Sequence, residues 1–153
     1  MINRKKLFKS DEHLLLWRKV FLATTEELGV TVCAWVMLSN HYHALLKFQH
    51  GRDLSKFVQR LHGRTSRKIN LLDRLQGRKI WYSYWDTCIR GETDFWTRFN
   101  YIHYNPVKHG YVQNPENWEF SSYRFYLKEE GEEWLAKCWL NYPAEDLLQE
   151  DNE

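Results

Sequence analysis

Cysteine is scarce in this chain: Cys33, Cys88 and Cys138 are three in 153 residues, far apart and in no CxxC pattern. That argues against a secreted disulfide scaffold and against a thiolate zinc site. No apolar run approaches the roughly 20 residues of a membrane span, and no signal peptide is visible. Repeats, linkers and low-complexity tracts are also missing. What remains is a chain suited to a reducing cytoplasm, with a length that fits one domain and a sizeable core. Net charge is only +2, which by itself says little about partners.

What the chain does have is aromatics and an uneven spread of charge. Eight Trp, nine Tyr and eight Phe make up 16% of it. Most of these rings should pack a core, and some could stack on bases. Residues 52–79 carry nine Lys/Arg against Asp53 and Asp73, whereas 129–153 carry nine acids against Lys137 alone. A basic surface for a polyanion and a solvated acidic tail follow from that asymmetry.

Ser10 can cap a helix over 11–28, with Asp11 and Glu12 in its first turn, Leu14, Trp17, Phe21 and Leu28 at helical spacing, and Gly29 as its stop. Residues 30–48 read as a hairpin turning at Ser39-Asn40. A helix over 53–70 follows, with an apolar stripe of Leu54, Phe57, Val58, Leu61 and Ile69. On another face it carries the basic stripe Lys56, Arg60, Arg64, Arg67 and Lys68. After a basic loop containing Arg78 and Lys79, 81–89 alternates as a strand would. A helix over 93–105 should end at Pro106, because the residue before proline disfavours the α region. Trp118, Phe120, Tyr123, Trp134 and Trp139 should pack a further helix or two, and the last ten residues read as frayed. The order helix–strand–strand–helix–strand–helix predicts an α+β layer, with helices on one face of an antiparallel sheet.

The chemistry-bearing stretch is WVMLSNHYHALLKF, 35–48. His41 and His43 are two apart, so on a strand both leave one face, their Cβ atoms roughly 6–7 Å apart, and can reach one cation. Tyr42, Ala44, Leu46 and Phe48 should then face the core. Tyr101 and Asn105, i and i+4, share a helix face one turn apart. If that face packs over the histidines, the Asn105 amide oxygen becomes a third metal ligand and Tyr101 sits beside a bound phosphate. A tyrosine hydroxyl with a pKa of about 10 is a weak nucleophile and needs a polarised target, which a metal on the phosphate would supply. Nitrogen and oxygen ligands suit Mg²⁺ or Mn²⁺ and also admit zinc. Each piece alone has an ordinary reading as satisfied histidines, a core tyrosine or a solvated helix face. His103 is turned well away from Tyr101 and is not expected to be a ligand.

Together the segments resemble the HUH single-tyrosine transposases, in particular the REP-associated tyrosine transposase branch. WVMLSNHYHALLKF is similar to the histidine–hydrophobic–histidine motif, and YIHYNPVKHGYV (101–112) to the tyrosine-helix motif. LSKFVQRLHGRTSRKIN (54–70) and NWEFSSYRFYL (117–127) are similar too, so the likeness covers roughly residues 3–127. It implies a ferredoxin-like catalytic domain over 1–127 and an acidic helical tail over 128–153. Tyr101 becomes the nucleophile and His41, His43 and Asn105 the ligands of a divalent Mg²⁺ or Mn²⁺. The implied reaction cuts and rejoins single-stranded, hairpin-forming DNA through a 5′-phosphotyrosine. Lys56, Arg60, Arg64, Arg67 and Lys68, then Arg78 and Lys79, are the candidate phosphate contacts. The protein would work in the cytoplasm on the nucleoid, as a monomer or a homodimer, with no membrane partner.

Two departures stand out. Family members begin with a strand and an arginine–glycine turn before the segment that INRKKLF resembles, so the usual first strand is expected to be lacking. That loss would expose pairing edges. Ser39 replaces a common proline, which should matter little. The alternative to an active enzyme is therefore a DNA-binding remnant that has lost turnover, and a blander one is a domain whose histidines hold structural zinc.

Overall fold

The computed structural model describes residues 7–150; the expected absence of a first strand concerns residues outside that range. The elements are α1 (Asp11–Leu28), β1 (Thr31–Met37), β2 (Tyr42–Lys47), α2 (Asp53–Leu72), α3 (Glu92–Lys108), α4 (Tyr123–Glu129), α5 (Glu132–Asn141) and α6 (Glu145–Glu150). A 3₁₀ turn at Pro115–Asn117 precedes α4. The architecture is α+β, as expected. The chain forms two compact units. The first runs to Val32 and takes in Met37–His41 and Leu46–Asp86, and the second comprises Cys33–Val36, Tyr42–Leu45 and residues from Thr87 onward.

In the first unit, local signals set α1. The Ser10 hydroxyl accepts from the His13 backbone N–H, and Gly29 closes the helix at φ 63°, a left-handed conformation that glycine adopts without a Cβ penalty. Leu14, Trp17, Val20 and Phe21 are buried; Trp17 stacks on Phe21 at 4.7 Å, and Phe21 meets Phe57 of α2 edge-on. The buried face of α2 is Phe57, Val58, Leu61, Thr65 and Ile69, so the predicted stripe holds except that Leu54 is only half-buried and Thr65 joins it. Thr65 enters the core because its hydroxyl donates to the Leu61 carbonyl at 2.7 Å, leaving no orphaned donor.

The hairpin closes where expected: Leu38 N–H donates to the His41 carbonyl across Ser39-Asn40. His41 falls in the turn and His43 within β2. Burial along β2 does not split cleanly by face, since Leu45, on the histidine side, is its most buried residue. Phe48 still packs on Phe57 at 5.9 Å.

The expected strand at 81–89 does not form; among the described residues the sheet has two strands. A strand is held by a ladder of backbone bonds to a neighbour. Here the segment is held by a side chain instead: the Trp81 indole N–H donates to Thr65 Oγ1 at 2.8 Å, and its ring stacks on His62.

In the second unit α3 runs past Pro106 to Lys108. A proline removes one i→i−4 bond, and this close to the end the remaining turn is closed by His109 N–H to Asn105 O and Tyr111 N–H to Pro106 O. Phe99 and Ile102 of its apolar face are buried, and Phe95 is only half-buried. The tail is more ordered than the sequence implied. Leu135, Cys138 and Ala144 are buried, Trp139 stacks on Tyr104 at 3.8 Å, and α6 occupies residues expected to fray.

Candidate active site

The second unit brings three of the four expected site residues onto two adjoining elements. His43 on β2 meets Tyr101 on α3 edge to face, ring centroids 5.2 Å apart. One helical turn on, Asn105 is fully buried, and neither its amide oxygen nor its nitrogen has a hydrogen-bond partner among the described residues. An orphaned buried amide costs about 1–3 kcal/mol, so a native fold that keeps one commonly supplies it with a water or an ion. Lys108 places its ammonium 5.8 Å from the Tyr101 ring centroid, and burial draws its pKa below the ordinary lysine value. His41, in the hairpin turn, has Nδ1 2.7 Å from Asn40 Oδ1.

Among the described residues no three His, Cys, Asp or Glu side chains gather as a metal site. Within the second unit His43 offers a ring nitrogen and the orphaned Asn105 amide an oxygen, donors of the kinds that Mg²⁺ or Mn²⁺ accepts; His41 belongs to the first unit. On that observation the residues fit the group.

His103 has a different task. It is buried, with Nε2 2.7 Å from Ser122 Oγ; Ser122 Oγ in turn accepts from the Trp35 backbone N–H at 2.9 Å. Burial pushes the imidazole down to about 3, so it is neutral at ordinary pH. Tyr126 adds a hydroxyl bond to the Cys33 carbonyl. The His103–Ser122–Trp35 bonds link α3, which carries Tyr101, to the backbone of β1, and the Tyr126 bond ties α4 to the same strand. The sequence offered little sign of this, because Ser122 is 19 residues from its imidazole partner and 87 from Trp35. The SSY triplet inside the quoted tail motif was the only hint.

The basic residues divide into two sets. Arg60 and Arg64 both pair with Glu27 of α1, the latter at 2.6 Å, and the Arg64 hydrogen bond is the main cause holding the Glu27 carboxyl below its usual value. Arg78 is tied to Asp73 at 2.6 Å and to Asn70 at 3.0 Å. Lys56, Arg67, Lys68 and Lys79 are exposed.

The fold is α+β, with a histidine, a tyrosine and an asparagine on one strand and one helix of the second unit. Residues 1–105 match the family described as "Transposase IS200 like", and the chain belongs to that family. It is 26% identical over 144 residues to a REP-associated tyrosine transposase of Haemophilus influenzae, covering 86% of this chain and 81% of that protein. It is also 26% identical over 122 residues to the REP-associated tyrosine transposase of Escherichia coli K12, covering 79% and 70%. A solved REP-associated tyrosine transposase bound to a REP hairpin shares the fold, with a TM-score of 0.68 at 24% identity, over 83% of this chain and 73% of that one. The resemblance read from the four motifs thus holds across most of the sequence. No described helix is long and apolar enough to cross a membrane.

Proposed function

We propose that this transposase-family chain cleaves and rejoins hairpin-bearing single-stranded DNA, with Tyr101 as nucleophile. The grouping of His43, Tyr101 and an unsatisfied Asn105 is the observation that carries the reading. The Tyr101 oxygen attacks a backbone phosphorus, the phosphorus–O3′ bond breaks, and the products are a 5′-phosphotyrosine and a strand ending in a free 3′-hydroxyl. The reverse attack by a 3′-hydroxyl restores the tyrosine, so rejoining needs no ATP. A divalent ion, Mg²⁺ or Mn²⁺, held by His41, His43 and Asn105, would supply Lewis-acid polarisation of the phosphate. Lys108 keeps a cation beside the phenol ring, where it favours the negative charge that develops as the phenol loses its proton. Lys56, Arg67, Lys68 and Lys79 are placed at the surface for phosphate contact, and Arg60, Arg64 and Arg78 join them once released from their carboxylates.

The test is incubation with labelled hairpin DNA carrying unpaired flanks, in Mn²⁺ or Mg²⁺, followed by denaturing electrophoresis. A covalent adduct should form with the wild type and disappear in Tyr101→Phe, while hairpin binding persists. Binding without any adduct would assign the chain to the DNA-binding remnant instead. Unfolding by a chelator without DNA binding would favour structural zinc.

A further inference from the structure

The first unit carries an open groove of about 370 Å³ lined by Ser55, Val58, Gln59 and His62 of α2 and by residues 81–84. Its floor is fixed. Trp81 is pinned by its bond to Thr65, packs on Phe8 at 5.2 Å and stacks on His62 at 4.5 Å with the planes 13° apart. Burial draws the His62 imidazole down to about 4, so it lies there as a neutral ring. Tyr84 stands edge-on to His62 at 6.3 Å.

The rim is unusual for a protein surface. Tyr82 and Tyr84 of the lining, and Trp85 next to them in the sequence, are 51%, 44% and 87% exposed. Contiguous exposed aromatics mark contact surfaces. Lys79 holds its ammonium 4.9 Å from the Tyr82 ring centroid, Lys56 is exposed beside Ser55, and no lining residue is acidic. Rings that offer faces, interleaved with cations and free of carboxylates, match a ligand with flat bases on an anionic backbone.

We propose that this groove binds unpaired nucleotides of single-stranded DNA, with bases stacked on Tyr82, Tyr84 and Trp85 and the backbone against Lys56 and Lys79. The inference rests on the DNA reading above and assigns part of the strand a place on the first unit. Because every base has a π-face, such a groove would hold a strand with little sequence preference.

Fluorescence anisotropy with two synthetic hairpins tests it, one blunt and one with a short unpaired oligothymidine extension. The wild type should bind the extended hairpin more tightly. Trp85→Ala, which alters an exposed ring and should not disturb folding, and Tyr82→Ala/Tyr84→Ala should each lower that affinity about tenfold or more while leaving the blunt hairpin unchanged. Tyr82→Phe should bind like the wild type. Equal binding of both hairpins by the wild type, or equal loss on both in the variants, would overturn the groove assignment. Unchanged DNA affinity with a shift from dimer to monomer in sedimentation would give the groove to a second copy of the chain. Failure of the wild type to bind either hairpin would overturn this inference and the DNA reading together, whereas absence of a Tyr101 adduct alone would leave the groove standing.

Discussion

Two asparagines on α3, five residues apart, face opposite energetic situations. Asn100 donates to the carbonyls of Cys138 and Tyr142 at 3.0 and 2.8 Å, so its amide joins α3 to α5 and the turn after it. Asn105 is equally buried, and its amide has no hydrogen-bond partner among the described residues. Replacing Asn100 with Ala should cost about 1–3 kcal/mol, since two buried carbonyls lose their donor. Asn105→Leu removes an orphaned amide at similar volume, so in EDTA its stability should match or exceed that of the wild type. Urea unfolding in EDTA measures both, and titration calorimetry with Mn²⁺ should show weaker binding by Asn105→Leu. A loss beyond about 1 kcal/mol for that variant in EDTA would show that the amide is already satisfied in the metal-free fold.

At the scale of elements, α1 and α2 are joined at the surface by Glu27, which gathers Arg60 and Arg64. Exposed pairs of this kind add little stability and are screened by salt. They do occupy two guanidinium groups that could otherwise reach phosphate. Glu27→Gln should therefore fold as the wild type does and bind single-stranded DNA more tightly at low salt. The plot of log affinity against log salt should steepen by up to about 0.7 for each arginine that gains a phosphate. An unchanged slope and affinity would remove Arg60 and Arg64 from the DNA surface. The stripe itself was legible in the sequence; its capture by Glu27 was not, because the partner lies 33 residues away on another helix. The same contrast runs through the fold. The bounds of α1 were readable because Ser10 and Gly29 act within a turn of the helix they limit. The segment 81–89 was misread because its alternation resembles a strand, whereas its conformation is decided by Trp81 reaching Thr65. Pro106 was read as a stop, and the helix ends only two residues later. Of the candidate site, residue types and spacing were legible. The orphaned state of Asn105 and the His103–Ser122 fastening required the fold.

Across the whole molecule, burial holds one histidine of each compact unit neutral, half-buried His62 in the first and fully buried His103 in the second. Both folded values, about 4 and about 3, lie below the ordinary 6.5, and burial is the cause in each case. The unfolded chain therefore binds more protons than the folded one between these limits, and stability rises with pH through that window. The contribution is complete above about pH 6.5 and is lost as pH falls toward 4 and then 3. For fully buried His103 the slope reaches about 1.4 kcal/mol per pH unit. His62, partly open to solvent, adds a smaller share. The carboxyls of Asp73 and Asp94 are held below their usual range, the former chiefly by Arg78 and then His13, the latter by the Arg90 backbone N–H and then Arg98. Their stabilisation is present above the ordinary aspartate value and fails only below it, so the two histidines dominate the change from pH 6.5 to 5. Urea midpoints at pH 7.5, 6.0 and 5.0 should therefore fall stepwise, and His103→Gln should flatten the trend while lowering the value at pH 7.5. A midpoint that stays level from 7.5 to 5.0 would mean that neither imidazole is held neutral by the fold, and that α3 is fastened to β1 by something other than a neutral His103.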